Sequence, residues 1–341
     1  MAAASRNGQR LELYRQLCRI RLIDERLTQL QRQGRVGFHG SCAGQEVAPV
    51  AAGLALRETD WIFPALRESW AMLVRGYPLE RYLAQDFACL LDVAKGRQMP
   101  SHQSAHAVRV VSWSSCIATQ LPQAVGMALA ARKLGRDDIA LAFLGDGATS
   151  HPDFHAALNF AAVFKAPCVF VCQNNQFAIS VPVSRQSAND QLFEKAWAYG
   201  MPGERVDGND AELVLDTFRR AAERTRGGEG PSFIECLTYR VGPHSSSDDP
   251  ARYRDEAVTR QWAERDPIAL LRSRLFADGQ LDADADAAFT QQLTHELERA
   301  LDIVAAAPPP PLASLFDDVY ARRPRHLDEQ ALLLASTPRP P

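Results

Sequence analysis

Asp138 to Ser180 reads DIALAFLGDGATSHPDFHAALNFAAVFKAPCVFVCQNNQFAIS, which parses as a strand, a helix and a second strand. Ile139 to Leu144 is a short apolar run closed by Gly145-Asp146-Gly147, which suits a buried parallel strand ending in a turn tight enough to need glycine. Phe154, Ala157, Leu158, Ala161, Ala162 and Phe164 then recur at helical spacing, with Pro152 and Asp153 in the first turn and Pro167 as the stop. Cys168 to Gln173 is a second apolar run, and Asn174-Asn175 sits just past its end. Strand, helix and strand make a right-handed crossover, so Asp146 and Asn175 both fall at the carboxyl ends of parallel strands. That edge is where open α/β sheets bind ligands.

These residue types in these places have a chemical use. Magnesium takes oxygen ligands in octahedral geometry and is commonly shared between one or two protein oxygens and substrate phosphates. Asp146 and Asn175 supply two such oxygens, and the helix opening after Gly147 leaves N–H groups unpaired at its positive end, where a diphosphate can lie. The helix dipole adds only about 0.3 to 1 kcal/mol, or ~2 when partly buried, so the metal must carry most of the charge neutralisation. Two rival phosphate grips are missing, since the chain has neither GxxxxGK[ST] nor a GxGxxG after a strand. Gly227, Gly228 and Gly230 read as a helix stop before a strand from Ser232 to Tyr239.

Composition bounds the remaining choices. The chain has 341 residues and a net charge of -3 with no basic block, which argues against nucleic acid or an acidic membrane surface as partner. No apolar run reaches membrane-spanning length, and the opening MAAASRNGQR lacks the apolar core of a secretory signal. Seven cysteines, an odd number without CxxC spacing, suit reduced thiols in a cytoplasmic setting, with Cys168 and Cys172 as strand filler.

Outside the central unit, Leu11 to Gln33 predicts a long amphipathic helix ending at Gly34, followed by the glycine-rich loop GRVGFHGSCAGQE and a small-residue helix from Val47 to Leu56. WIFPALRESW begins extended and turns helical, placing Arg67 at the junction; KGRQMPSH is an irregular loop that ends at His102. Ser114 to Gln120 leads into a small-residue helix ending near Gly135. Helices are expected over Ala188 to Tyr199 and Ala211 to Arg226, and exposed ones over Ile268 to Phe276 and Phe289 to Val304. The loop RVGPHSSSDDPARYR follows the carboxyl end of the Ser232 strand, where a site loop belongs. Pro308 to Pro311 is a stiff break, so the expected division is an α/β domain over 1–305 and a tail over 306–341, whose SLFDDVYARRP has enough apolar residues to dock. The fold class is α/β, a mostly parallel sheet with helices on both faces and helical extensions at each end.

Gly145-Asp146-Gly147 with Asn174-Asn175 resembles the thiamine diphosphate motif of transketolases, decarboxylases and 2-oxo acid dehydrogenases. GQE, LRE, KGRQMPSH, SSCIATQLPQAVG, GDGATS, NNQFAIS, RVDGND and TYRVGPHSSSDDPARYR, which stand in this order, are similar to the alpha subunits of 2-oxo acid dehydrogenases over roughly residues 10 to 325. The wording of the last three is most like the branched-chain type. The resemblance implies oxidative decarboxylation of a 2-oxo acid, branched-chain favoured and pyruvate an alternative, with the acyl group passed to a lipoyl arm of an acyltransferase. It also implies a separate beta subunit, which completes the site in an α2β2 heterotetramer. A thiamine-dependent acetoin dehydrogenase alpha subunit and a degenerate scaffold subunit remain open.

Carried over by position, Asp146, Asn175 and the Phe177 carbonyl would coordinate magnesium. Gly147 and Ala148 would donate N–H groups to the diphosphate, and Arg67 would pair with it. Ser115 and Gln173 would join the cofactor-binding set, and Ile117 would be the apolar wedge that bends the cofactor. Ser114, Cys116, Thr119 and Gln120 match a loop that holds potassium in some members. His244 and His102 would face the substrate as the catalytic residues, His244 touching the cofactor as well. Three departures stand out. Leu66 replaces a tyrosine found in many members, Gln173 replaces an arginine found in some branched-chain enzymes, and His151-Pro152 replaces Glu-Gly or Gln-Gly. Ser245 aligns with a serine phosphorylated in some relatives.

Overall fold

The structure of the protein, a computed structural model, describes residues 2–337. Five strands form one parallel sheet: β1 (Trp61–Phe63), β2 (Ala140–Gly145), β3 (Cys168–Asn174), β4 (Gly203–Asp207) and β5 (Ser232–Leu237), in the order β1-β2-β3-β5-β4. Strands β2 and β3 are neighbours in register from Ala140 beside Cys168 to Gly145 beside Gln173, as the crossover reading requires.

The sheet is covered on both faces because its central strands are mostly apolar on both of their sides. Ile139, Leu141 and Phe143, with Val169, Val171, Ile234 and Cys236, point into one core; Ala140, Ala142 and Leu144, with Cys168, Phe170, Cys172 and Phe233, point into the other. The first core is closed by α1 (Ala2–Arg32), α2 (Val47–Ala55), α3 (Leu79–Phe87) and, further along, α6 (Ala211–Arg224). The second is closed by α4 (Gln120–Lys133) and α5 (Pro152–Val163), where Ala124, Ala128, Ala157 and Ala161 let the helices lie close to the sheet. Phe143 is fully buried with its ring 6.5 Å from that of Phe218, so Phe143→Ala would cost about 3–5 kcal/mol.

Several sequence expectations shift. The first helix starts well before Leu11. The expected helix from Ala188 is a 3-10 segment, Leu192–Tyr199, because the Asn189 side chain takes the Gln191 N–H in a tight turn and delays the start. Helices α7 (Pro267–Ala277) and α8 (Ala283–Ala306) are not simply exposed: Leu271, Leu275, Leu293, Leu297, Leu301 and Val304 form a buried stripe along them. Past α8, the chain returns over the loop after α3, where Pro308 O takes the Leu90 N–H at 2.8 Å and Asp318 pairs with Lys95. Leu315, Val319 and Tyr320 stay largely exposed, so polar contacts hold this tail. All seven cysteines are unpaired, and Cys168 and Cys172 fill strand positions.

Candidate active site

The carboxyl ends of β2, β3 and β5 converge on one edge. After β2 the chain makes a 3-10 turn, Asp146–Ser150, before α5 begins at Pro152, so the free N–H groups at Gly147 and Ala148 belong to this turn and not to α5 itself. His151 is the N-cap of α5: its Nδ1 accepts the Asp153 N–H at 3.2 Å, and Pro152 fits the first turn, which gives His151-Pro152 a local structural purpose. A Cβ on Gly147 would lie 2.6 Å from the Ala178 Cβ, so only glycine lets the turn rest against the segment after β3.

Asp146 is almost completely buried, and among the described residues its Oδ2 has no hydrogen-bond partner. Burial pushes its carboxyl up to about 6, against the pull of its own N–H, Arg240, the Asn175 N–H and Arg67. A buried carboxylate oxygen without a partner is costly unless a cation meets it. Asn175, also buried, makes a tight turn in which its Oδ1 accepts the Phe177 N–H at 3.2 Å. Among the described residues no three His, Cys, Asp or Glu side chains converge, so a divalent ion beside Asp146 would need neutral protein oxygens and ligand oxygens. Asn175 and the Phe177 carbonyl are the protein oxygens at hand, so the donor set fits magnesium shared with a diphosphate.

Arg67 is buried and anchored by two main-chain oxygens, Ser41 O at 2.7 Å from its Nε and His244 O at 2.6 Å from its Nη2. Burial and the nearby Arg240 lower its pKa to about 10, so it stays cationic at neutral pH. Arg240, which local sequence patterns did not single out, is 1% exposed and ties together two segments through three acceptors. It donates to the Phe177 carbonyl at 3.3 Å, to Ile179 O at 2.6 Å and to the Tyr253 hydroxyl at 2.9 Å. Its only sequence signal was its place just after β5, four residues before His244.

The loop after β5 is tied at both ends of the His244 backbone. Arg67 holds the His244 carbonyl, and the His244 N–H donates to Asp248 Oδ2 at 2.7 Å, which also accepts the Tyr253 hydroxyl at 2.5 Å. Burial, then Arg67 and Arg240, depresses the His244 ring to about 4, so it is a neutral imidazole at pH 7. His102 is buried, stacked on Trp113 at 3.7 Å, and its Nε2 lies 2.8 Å from Ser115 Oγ. Two residues of the candidate set are thereby brought together. Gln173 gives its Nε2 to the buried Glu68 at 2.5 Å, so one of its polar atoms is already taken. In the 114–120 loop, Ile117 is exposed, Thr119 Oγ1 donates to Cys116 O at 3.0 Å, and Gln120 Nε2 donates to Phe143 O at 2.7 Å. Gln45, from the loop before α2, donates no bond here but accepts the Asn175 Nδ2 at 2.8 Å.

A buried acid, an asparagine turn and a cationic wall at the strand ends define a cofactor-dependent enzyme of the α/β class, and comparison with other proteins narrows it. The chain belongs to the dehydrogenase E1 component family, whose profile matches residues 14–313. It is 43% identical over 309 residues, 91% of this chain and 82% of the relative, to the 3-methyl-2-oxobutanoate dehydrogenase subunit alpha of Mycobacterium tuberculosis. It is 38% identical over 328 residues, 96% of this chain and 70% of the relative, to the mitochondrial 2-oxoisovalerate dehydrogenase subunit alpha 2 of Arabidopsis thaliana. The mitochondrial 2-oxoisovalerate dehydrogenase subunit alpha of Homo sapiens is 37% identical over 326 residues, 95% of this chain and 73% of the relative. The E1 family implies thiamine diphosphate and magnesium, which agrees with the donor set at Asp146. Among the described residues no helix is long and apolar enough to cross a membrane.

Proposed function

We propose that this chain is the alpha subunit of a branched-chain 2-oxo acid dehydrogenase, decarboxylating substrates such as 3-methyl-2-oxobutanoate and passing the acyl group to a lipoyl disulfide. The observation that carries the reading is the buried, unpartnered Asp146 carboxylate oxygen beside the Asn175 turn, in a chain whose relatives bear these names. Thiamine diphosphate, when bound, supplies a cationic ring that stores the electron pair released by decarboxylation.

The protein's own residues bind, orient and move protons. Asp146, Asn175 and the Phe177 carbonyl hold magnesium, while Gly147, Ala148 and Arg67 hold the diphosphate, with Ser115 and Gln173 beside them and Ile117 as the apolar support. Neutral His244 can donate a hydrogen bond to the substrate oxygen, or accept a proton from it, without first losing a proton of its own. His102, oriented by Ser115 and Trp113, is its partner on the substrate side. Ser114, Cys116, Thr119 and Gln120 are the ligands offered to potassium.

The side-chain pocket needs a second chain, a beta subunit in an α2β2 assembly that docks a lipoyl-bearing acyltransferase, in the cytoplasm. Turnover with an artificial electron acceptor tests the proposal. The assembled enzyme should prefer branched 2-oxo acids to pyruvate. Preference for acetoin would move it to the acetoin-cleaving enzymes, and no turnover at all would make it a scaffold.

A further inference from the structure

Asn175 offers two different atoms on one flat amide, and a metal can use only the oxygen. Which atom faces the metal depends on what holds the amide. One side is settled by the backbone: the Phe177 N–H is a donor, so the atom it meets at 3.2 Å must be Asn175 Oδ1. The other atom, Nδ2, is then turned toward Gln45 and needs an acceptor, which Gln45 Oε1 supplies at 2.8 Å.

Gln45 is built to be rigid. It is 2% exposed, and the backbone on each side is fixed. The Gly44 carbonyl accepts the Thr238 hydroxyl at 2.8 Å, and Gly44 has φ +86° with room for no side chain, since a Cβ would lie 2.6 Å from Tyr239 O. On the other side, the buried Glu46 side chain is paired with Arg21 of α1. The Gln45 Nε2 is itself buried and has no partner among the described residues. Leaving such a donor unsatisfied is destabilising, so the amide is not placed for stability alone.

We infer that Gln45 is a positioning residue that fixes the Asn175 amide with its oxygen toward the metal. The inference rests on the magnesium reading of Asp146 and Asn175 given above. Groups that orient a metal ligand through a hydrogen bond typically govern about 10- to 100-fold of metal affinity. Gln45→Met keeps the volume and removes the acceptor, which frees the Asn175 amide to rotate. Gln45→Glu keeps an acceptor oxygen at the same place.

The test is Mn2+ binding to the assembled complex at saturating thiamine diphosphate, read from the electron paramagnetic resonance signal of free Mn2+. Thermal unfolding of the metal-free complexes runs in parallel. Gln45→Met should weaken Mn2+ binding roughly 10- to 100-fold with a near wild-type unfolding temperature, while Gln45→Glu should bind close to wild type. Equal Mn2+ affinity in Gln45→Met and wild type would overturn the inference, and so would an equal loss in Gln45→Glu, which would mark a packing role. If Gln45→Met does not assemble, Gln45→Glu decides alone, because a large loss there contradicts the acceptor role. Failure of the wild-type complex to bind Mn2+ would instead overturn the magnesium site itself.

Discussion

Replacing Asp146 with asparagine should stabilise the metal-free chain while destroying the site. Burial lifts the Asp146 carboxyl from 3.8 to about 6 in the folded chain. At about 1.4 kcal/mol per pH unit, its ionised form therefore carries about 3 kcal/mol of destabilisation that the unfolded chain does not feel. A raised carboxyl pKa contributes stability that is fully present below 3.8 and is lost as pH rises through about 6. The difference in unfolding free energy between Asp146→Asn and wild type should thus widen by about 2 kcal/mol from pH 4 to pH 7 in favour of the variant, whatever constant offset the new amide adds. Urea unfolding of the metal-free chain across this range, with a chelator present, measures it. The same variant should lose magnesium-dependent thiamine diphosphate binding, which fluorescence titration detects. A stability gap that does not change with pH would refute the burial argument, and normal cofactor affinity would refute the metal assignment.

Other changes separate binding from turnover. His244→Ala should hold cofactor nearly normally, because Arg67 and Asp248 grip the backbone and not the ring, yet reductive acylation of lipoyl domain should fall by about 100- to 10,000-fold in stopped-flow assays. The neutral His244 ring also means that its protonation, near pH 4, should leave the activity profile flat between pH 6 and 8. Gly147→Ala puts a Cβ against Ala178 and should cost about 1–3 kcal/mol in urea unfolding along with cofactor affinity. Arg240→Met removes hydrogen bonds from a charged donor, each worth about 1.5–3 kcal/mol, and should make the 240–254 segment the first site of limited proteolysis.

The layout of the sheet was legible because β2 and the Cys168 to Cys172 part of β3 are unbroken apolar runs and the helix between them repeats at 3.6 residues. Such patterns are local, and both cores reproduce them residue by residue. Asp146 and Asn175 were legible for the same reason, since each sits where a strand ends. Arg240 and Gln45 were not, because their work is done across the fold: Arg240 joins the turn after β3 to Tyr253, and Gln45 meets Asn175 from a loop 130 positions earlier. A lone arginine or glutamine gives no periodic signal of such contacts. The KGRQMPSH loop shows a related limit. Its order comes from carboxylates outside it, Asp92 taking the Ala94 and Gly96 N–H groups and Asp86 taking that of Ser101. His39 is a buried partner of Asp24 at 2.8 Å, a satisfied structural histidine.

The most direct test of the account is thiamine diphosphate titration, with and without magnesium, of the chain alone and of the chain assembled with its beta subunit, each followed by decarboxylation of 3-methyl-2-oxobutanoate. Saturable, magnesium-dependent binding with turnover should appear only in the assembled enzyme and should vanish in Asp146→Asn. Robust decarboxylation by the chain free of any partner, or tight cofactor binding that ignores magnesium, would contradict it.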